Sequence, residues 1–345
     1  MKLRILLTSV VLAWSVAAIA QTPNAYDLNV KLAEQYYRSG DFLKAAQSYS
    51  QAFFSNKNLG LITDRYKAAC CWAMTNEVDS SFYQLEKIVK TGFYTNYHEI
   101  VTEPDLIVLH NDSRWKNIIM TIKALKDKER ENLNLPVVAA LDSVYVDDQF
   151  PRRVLMSIEK SGGLRSARWE AKAKEIMRQD SLNLPRITKI LDQYGWLGKE
   201  EIGIEGNRTL FLVIQHADIK TQEKYLPMLR AAVISGKASA SSLALLEDRV
   251  SLRQINKQIY GSQIGQNYFT GAYYVLPMDD PENVNKRRAA VGLEPLEGYV
   301  KQWGIAWSIE HYYKDLEMNK VPSSPGIRRL TPIKDKVTRP FPAVN

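Results

Sequence analysis

Apolar positions recur along this chain with two different periods. Between residues 33 and 53, small and aromatic residues return at helical spacing on both sides of Gly40-Asp41: Ala33, Tyr36 and Tyr37 before it, then Phe42, Ala45, Ala46, Tyr49, Ala52 and Phe53. A 3.6-residue period broken by glycine predicts two helices folded back on one another, because glycine enters the left-handed conformation that a tight turn requires. Ala45 is small enough to let the two helices approach closely. A second pair follows, with Tyr66, Ala68, Ala69, Trp72 and Ala73 on one helix and Phe82, Leu85 and Ile88 on the next. A weaker third runs through Leu106, Leu109 and Trp115.

This pattern of small and aromatic positions resembles the tetratricopeptide repeat, which pairs antiparallel helices in this way. Residues 25–128 are therefore expected to form helical repeats. Two or three such repeats bury too little to stand alone with assurance. Repeats of this kind often expose a concave surface that holds a peptide, and Tyr36, Tyr37, Tyr49 and Tyr66 are the side chains to line one. The competing expectation is that these tyrosines pack helix against helix.

After a densely charged stretch (residues 123–130), apolar spacing resumes over 133–146, is interrupted by Asp147-Asp148-Gln149-Phe150-Pro151-Arg152-Arg153, and returns over 165–178 beyond Gly162-Gly163. Further helices are predicted from Asp180 to Gly195-Trp196, over 209–216, over 220–235 and over 239–250. Asp218 stands where an N-cap would accept backbone N–H groups, and Gly236 closes that helix. The period then changes. β-branched and aromatic residues in 258–263 and 271–277 flank a polar, glycine-containing segment and predict a β-hairpin. Asp280-Pro281 opens a last helix, with Asp280 as N-cap and Pro281 in the first turn. The expected class is mainly α: tetratricopeptide-like hairpins over 25–128, a helical C-terminal domain with a β-hairpin over 133–318, and a Pro-rich disordered tail over 319–345.

The first twenty residues do not fit that scheme. Lys2 and Arg4 precede an apolar run that ends in Ala18-Ile19-Ala20. This is the form of a secretory signal peptide cleaved before Gln21, and the protein is expected in the periplasm or outside the cell. No later run is long and apolar enough to span a bilayer. The 46 basic and 38 acidic residues give a net charge of +8, which falls to +6 when Lys2 and Arg4 are removed. Export and the lack of any nucleic-acid motif argue against a nucleic-acid partner. The two cysteines, Cys70 and Cys71, are adjacent and cannot meet disulfide geometry on one helix, so they read as buried packing residues.

The candidate chemistry lies in the last third: Gln215-His216-Ala217-Asp218, Asp248-Arg249, Gln258-Ile259-Tyr260-Gly261-Ser262-Gln263, Asp279-Asp280-Pro281 and Arg287-Arg288. Several of these groups sit against apolar runs, where polar atoms are costly unless paired. An enzyme would use His216 as general acid or base, oriented by Asp218 or Asp248. Arg249 or Arg287 would bind an anionic group, and Tyr260 would be a further donor. Gln258, Gln263 and Arg287 are the binding candidates of this region. Ser262 lacks a nucleophile elbow. Neither a Cys cluster nor an H-E-x-x-H motif supports a metal, and no cofactor is expected. The alternative is structural: caps at Asp218 and Asp280, an Asp248 ion pair, glutamines at strand edges and a hydrogen-bonded core His216.

The order Gln-His-Ala-Asp, Glu-Asp-Arg-Val, Gln-x-Tyr-Gly-Ser-Gln, Pro-x-x-Asp-Pro and Arg-Arg resembles a bacterial domain of unknown function, family 6624, with Ser262 where that family shows Thr. Asp148-Gln149, Asp180, Asn183 and Gly195-Trp196 look like its upstream half, so the resemblance covers about residues 133–300. It implies no activity that can be carried over. The leading expectation is thus an exported envelope protein that binds a protein or peptide through its repeats. The alternatives are a hydrolase-like enzyme centred on His216 and a purely structural domain.

Overall fold

A computed structural model describes residues 24–163, 166–267 and 270–318. The expected leader and the Pro-rich tail lie outside these residues. The chain divides into two compact units, one up to Thr91 and one from Gly92 onward.

The first unit holds α1 (Ala25–Ser39), α2 (Phe42–Ser55), α3 (Ile62–Met74) and α4 (Val78–Val89), packed as two helical hairpins. Gly40 ends α1 at φ +80°, a conformation that L side chains rarely adopt, and Asp41 then caps α2 by accepting the Lys44 N–H. Ala33, Ala45, Ala46, Tyr49, Phe53, Ala68 and Cys71 form the seam between the hairpins. The Tyr26 hydroxyl ties α1 to α3: it donates to Asp64 Oδ2 (2.6 Å) and accepts from Leu61 N (3.0 Å). Cys70 and Cys71 are buried thiols with no disulfide between them.

The second unit contains α5 (Tyr97–Val101), α6 (Ser113–Glu129), α7 (Leu135–Lys160), α8 (Ala167–Tyr194), α9 (Lys199–His216), α10 (Ile219–Ile234) and α11 (Ala240–Ile255). These are followed by strands β1 (Ile264–Gln266) and β2 (Tyr273–Val275) and by α12 (Val284–Ala290), α13 (Leu296–Val300) and α14 (Ile309–Met318). The described residues are mainly α with a small antiparallel sheet, in which Ile264 faces Val275. The main core joins α7 to α11 through Leu141, Val144, Ile187, Leu191, Leu210, Ile214, Leu229 and Leu246. A smaller core of Val275, Met278, Leu296, Tyr299, Val300 and Tyr312 backs the hairpin. Among the described residues, no helix is long and apolar enough to cross a membrane.

Three local expectations need correction. The polar block 147–153 does not interrupt the chain: α7 runs through it, with Pro151 inside the helix. Proline removes one backbone hydrogen bond, but the apolar residues on either side (Val144, Tyr145, Val154, Leu155) stay buried and keep the register. Asp280 is not a backbone cap. It sits at φ +45°, and its carboxylate accepts from Asn283 Nδ2 and Arg287 Nη1 instead. The strands begin later than expected at their N-terminal side, at Ile264, because residues 258–263 form a loop held by side chains.

Candidate functional site

Three helices of the second unit bring a polar set together. α7 presents Asp148, Gln149 and Arg152, and α8 presents Asp180 and Asn183 one turn apart. α9 presents His216 in its last turn. Gly206 lets α9 lie close to α7, since a Cβ there would meet Leu141 Cδ1 at 3.2 Å. The far end of α9 is pinned by Gln222 of α10, whose Nε2 donates to the Gln215 and Ala217 carbonyls, both at 2.9 Å. Asp218 caps α10 through Thr221 N (3.0 Å), as the sequence indicated.

His216 Nδ1 lies 3.0 Å from Asp148 Oδ1. The other carboxylate oxygen of Asp148 accepts from Gln149 Nε2 at 2.6 Å. Arg152 Nη1 donates to the Asp148 carbonyl (3.3 Å), while Nη2 binds both oxygens of Asp180 (2.8 and 2.9 Å). Asn183 is buried, and its Oδ1 lies 3.4 Å from Arg186 Nη1. The set is graded in exposure: the Asp148 side chain is 1% exposed and that of Arg152 4%, against 10% for His216 and 27% for Asp180.

Burial alone would raise the Asp148 carboxyl, but the neighbouring His216, Arg152 and Gln149 outweigh it and hold the group down at about 2. Burial, and then the Arg152 charge, lower the pKa of His216. Near neutral pH the pair is thus an aspartate and a neutral imidazole. An ionised carboxylate only accepts, so Nδ1 carries the proton and Nε2 keeps its lone pair. This is the arrangement in which a carboxylate fixes the tautomer and orientation of a histidine base.

Asp148, Asp180 and His216 each offer one donor atom within 4.8 Å of the others. Two carboxylates and an imidazole are a plausible ligand set for a divalent cation. The guanidinium of Arg152 already lies between the two carboxylates, however, bound to Asp180 and 3.7 Å from Asp148 Oδ1. It fills the role of counter-ion that a metal would take.

The other residues singled out from sequence serve a different structure. Asp248 does not orient His216. Its buried carboxylate accepts three backbone N–H groups, from Ile259 (2.6 Å), Tyr260 (2.8 Å) and Ser262 (2.9 Å), and so cages the loop 258–263. Burial raises its pKa against the pull of those donors. Gln258 ties the same loop to Gln263 and to the Leu276 carbonyl, and Gln263 Nε2 donates to Ser262 Oγ. Arg287 donates to the carbonyls of Ile259, Asp279 and Asp280, and Arg288 to that of Tyr260. Tyr260 thus enters through its backbone, and burial raises its phenol. Arg249 is half-buried on α11 and acts on the Tyr299 phenol. In the first unit, Tyr49 is fully buried in the seam, while Tyr36 is half-buried beneath Lys44. The packing expectation therefore holds for Tyr49.

Sequence reasoning chose the wrong aspartate for His216. Asp218 and Asp248 lie nearer in the chain, but the partner is Asp148, on another helix. Arg152 was also missed. Its signal was the spacing Asp148, Gln149, Arg152 on one face of a helix that was read as broken.

The second unit is thus a mainly α domain built around a buried histidine–aspartate pair. Residues 159–310 match the model of a family of unknown function, DUF6624. The match includes Asp180, His216 and the loop 258–263, while Asp148 and Arg152 lie just before it. No curated protein and no solved structure matches the chain.

Proposed function

We propose that the second unit is a hydrolase-like enzyme in which His216 acts as general acid–base and Asp148 orients it. The 3.0 Å contact between His216 Nδ1 and a buried Asp148 carboxylate carries this reading, because it leaves Nε2 with the lone pair that a proton acceptor needs. Asp180 and Arg152 lie close enough to act on that imidazole. The test is a screen of the protein against chromogenic ester, amide, phosphoester and glycoside substrates, beside His216→Ala and Asp148→Asn. Turnover that falls by about 10²-fold or more in both variants supports the reading. Turnover that survives His216→Ala refutes it.

The first unit favours a second role, that of holding a protein or peptide partner of an exported protein. What supports it is the pair of helical hairpins, with Leu28 and Leu32 exposed one turn apart on α1 and Tyr37 exposed near its end. Capture of a partner from envelope extract by the wild type, and its loss on Leu28→Ser/Leu32→Ser, is the expected result. The same capture from both proteins would remove this role.

A further inference from the structure

A second buried polar network spans the same two helices that carry His216 and Asp148. Arg130, just after α6, forks between them: Nη1 lies 2.6 Å from Asp142 Oδ2 on α7 and Nη2 2.7 Å from Glu205 Oε2 on α9. Lys126 of α6 also binds Glu205. His98 of α5 places Nε2 2.8 Å from Asp142 Oδ1 and Nδ1 3.8 Å from Glu205 Oε2, and its ring stacks on Tyr145 with centroids 4.2 Å apart. His98, Lys126, Arg130 and Asp142 are all buried. Apolar side chains would hold two helices together at least as strongly as buried ions do, since desolvation offsets most of the Coulombic gain. What directional ion pairs add is a fixed register.

The backbone of α9 explains where register is needed. The helix is broken at Gly203 (φ +74°, ψ 168°), so the stretch before it cannot steady the rest. Residues 204–216 form the continuous helix. Glu205 stands at its beginning, where Arg130 and Lys126 grip it, and His216 stands at its end, where Gln222 grips the last carbonyls. A small slide or rotation of this helix against α7 would open the His216–Asp148 hydrogen bond, and displacements of about 1 Å are enough to disable a reacting pair.

We propose that Arg130, with Glu205 and His98, is a positioning device that sets the register of α9 on α7 and thereby the contact between His216 and Asp148. The proposal rests on the reading of that pair as the working one, but it concerns geometry that can be read without any substrate.

The experiment is nitrogen NMR of the full chain carrying 15N-labelled histidine, with the His216 signals identified by their loss in His216→Asn. In the wild type at pH 7.5, His216 is expected as a single tautomer protonated at Nδ1. In Arg130→Met the two tautomers should mix, and the His216 titration should move toward the ordinary histidine range. Arg130→Lys should restore part of the wild-type signature. Val284→Ala, a cavity in the hairpin core, serves as the control: it should lower the melting temperature and leave the His216 signals in place. If Arg130→Met does not fold, Glu205→Gln removes one charge at nearly constant shape and is read in the same way. An unchanged His216 tautomer and titration in the folded variant would overturn the proposal and leave the network as ordinary stabilisation. Because no turnover is measured, that failure is distinct from failure of the enzyme reading.

Discussion

Asp148 and His216 are 68 residues apart in the chain and 3.0 Å apart in the fold. The contact joins the middle of α7 to the last turn of α9, and it defines the first prediction. Asp148→Asn keeps the shape but loses the charge. The neutral amide still accepts from Nδ1 yet no longer holds the imidazole tautomer, and Arg152 keeps Asp180 and the backbone carbonyl of residue 148 but loses the neighbouring charge. We expect a loss of about 2–3 kcal/mol, as for a hydrogen bond to a charged group. Chemical denaturation of the variant and wild type measures it. A cost below about 0.5 kcal/mol would mean that the buried pair contributes little to the fold.

The pH dependence of stability follows from the same pair. Asp148 is held at about 2 in the fold, against about 3.9 in an unfolded chain. Its contribution is therefore complete above the unfolded value and is lost as pH falls from about 4 toward 2. His216 is lowered in the fold from 6.5. The unfolded chain then takes up the proton first, so stability is also lost as pH falls below about 6.5. Acid unfolding should begin in the range where histidines titrate. In His216→Asn the slope just below pH 6.5 should flatten, and the limb between pH 4 and 2 should shrink, because His216 is the first of the neighbours that hold the Asp148 carboxyl down. Thermal melts from pH 8 to 3 read both limbs, and an unaltered slope near pH 6 in the variant would contradict the assignment.

How far the site was legible in the sequence can be seen residue by residue. Helical periodicity placed Thr209 to His216 on a helix and Asp218 at the next cap, because both signals are local. The hairpin was visible as a change of period, but its first strand begins six residues after the expected start. The reason lies outside the hairpin: Asp248 on α11 binds three backbone N–H groups of the preceding loop, and no local pattern reports an acceptor on another helix. The partner of His216 was hidden for a similar reason. Asp148 sits in the polar block 147–153, which suggests a break where core packing in fact keeps α7 continuous through Pro151. The resemblance to the family had drawn attention to Asp148, Asp180 and Asn183, whereas the residue-by-residue chemistry favoured closer aspartates. Chain proximity misled because helix ends are rich in aspartates that cap.

Asp248 supplies the third prediction. Replacing it by Asn leaves one acceptor oxygen for three N–H donors and turns an amide NH₂ toward at least one of them. Leaving buried donors unpaired costs about 1–3 kcal/mol each, and we expect a total near 2–4 kcal/mol. Amide hydrogen exchange should accelerate at Ile259, Tyr260 and Ser262, while the His216 ring signals stay unchanged. Loss of turnover without any loosening of that loop would restore Asp248 to the catalytic set.

Glu103 provides an opposite sign. It leads the 3-10 turn Pro104–Leu109, accepting the Asp105 N–H at 3.3 Å. Burial, with Asp105 beside it, pushes its carboxyl up to about 7. A raised carboxyl favours the fold below the unfolded value and loses that contribution as pH rises from about 4.3 through 7. Near pH 8 the fold holds a charge that its surroundings disfavour. Glu103→Gln keeps an acceptor for Asp105 N and removes the charge, so the variant should be more stable than the wild type at pH 8, by on the order of 1–2 kcal/mol, and about equal to it at pH 4.5. Melting curves at the two pH values decide the matter: a variant destabilised at pH 8 would show that Glu103 is ionised in the fold and stabilised by its neighbours.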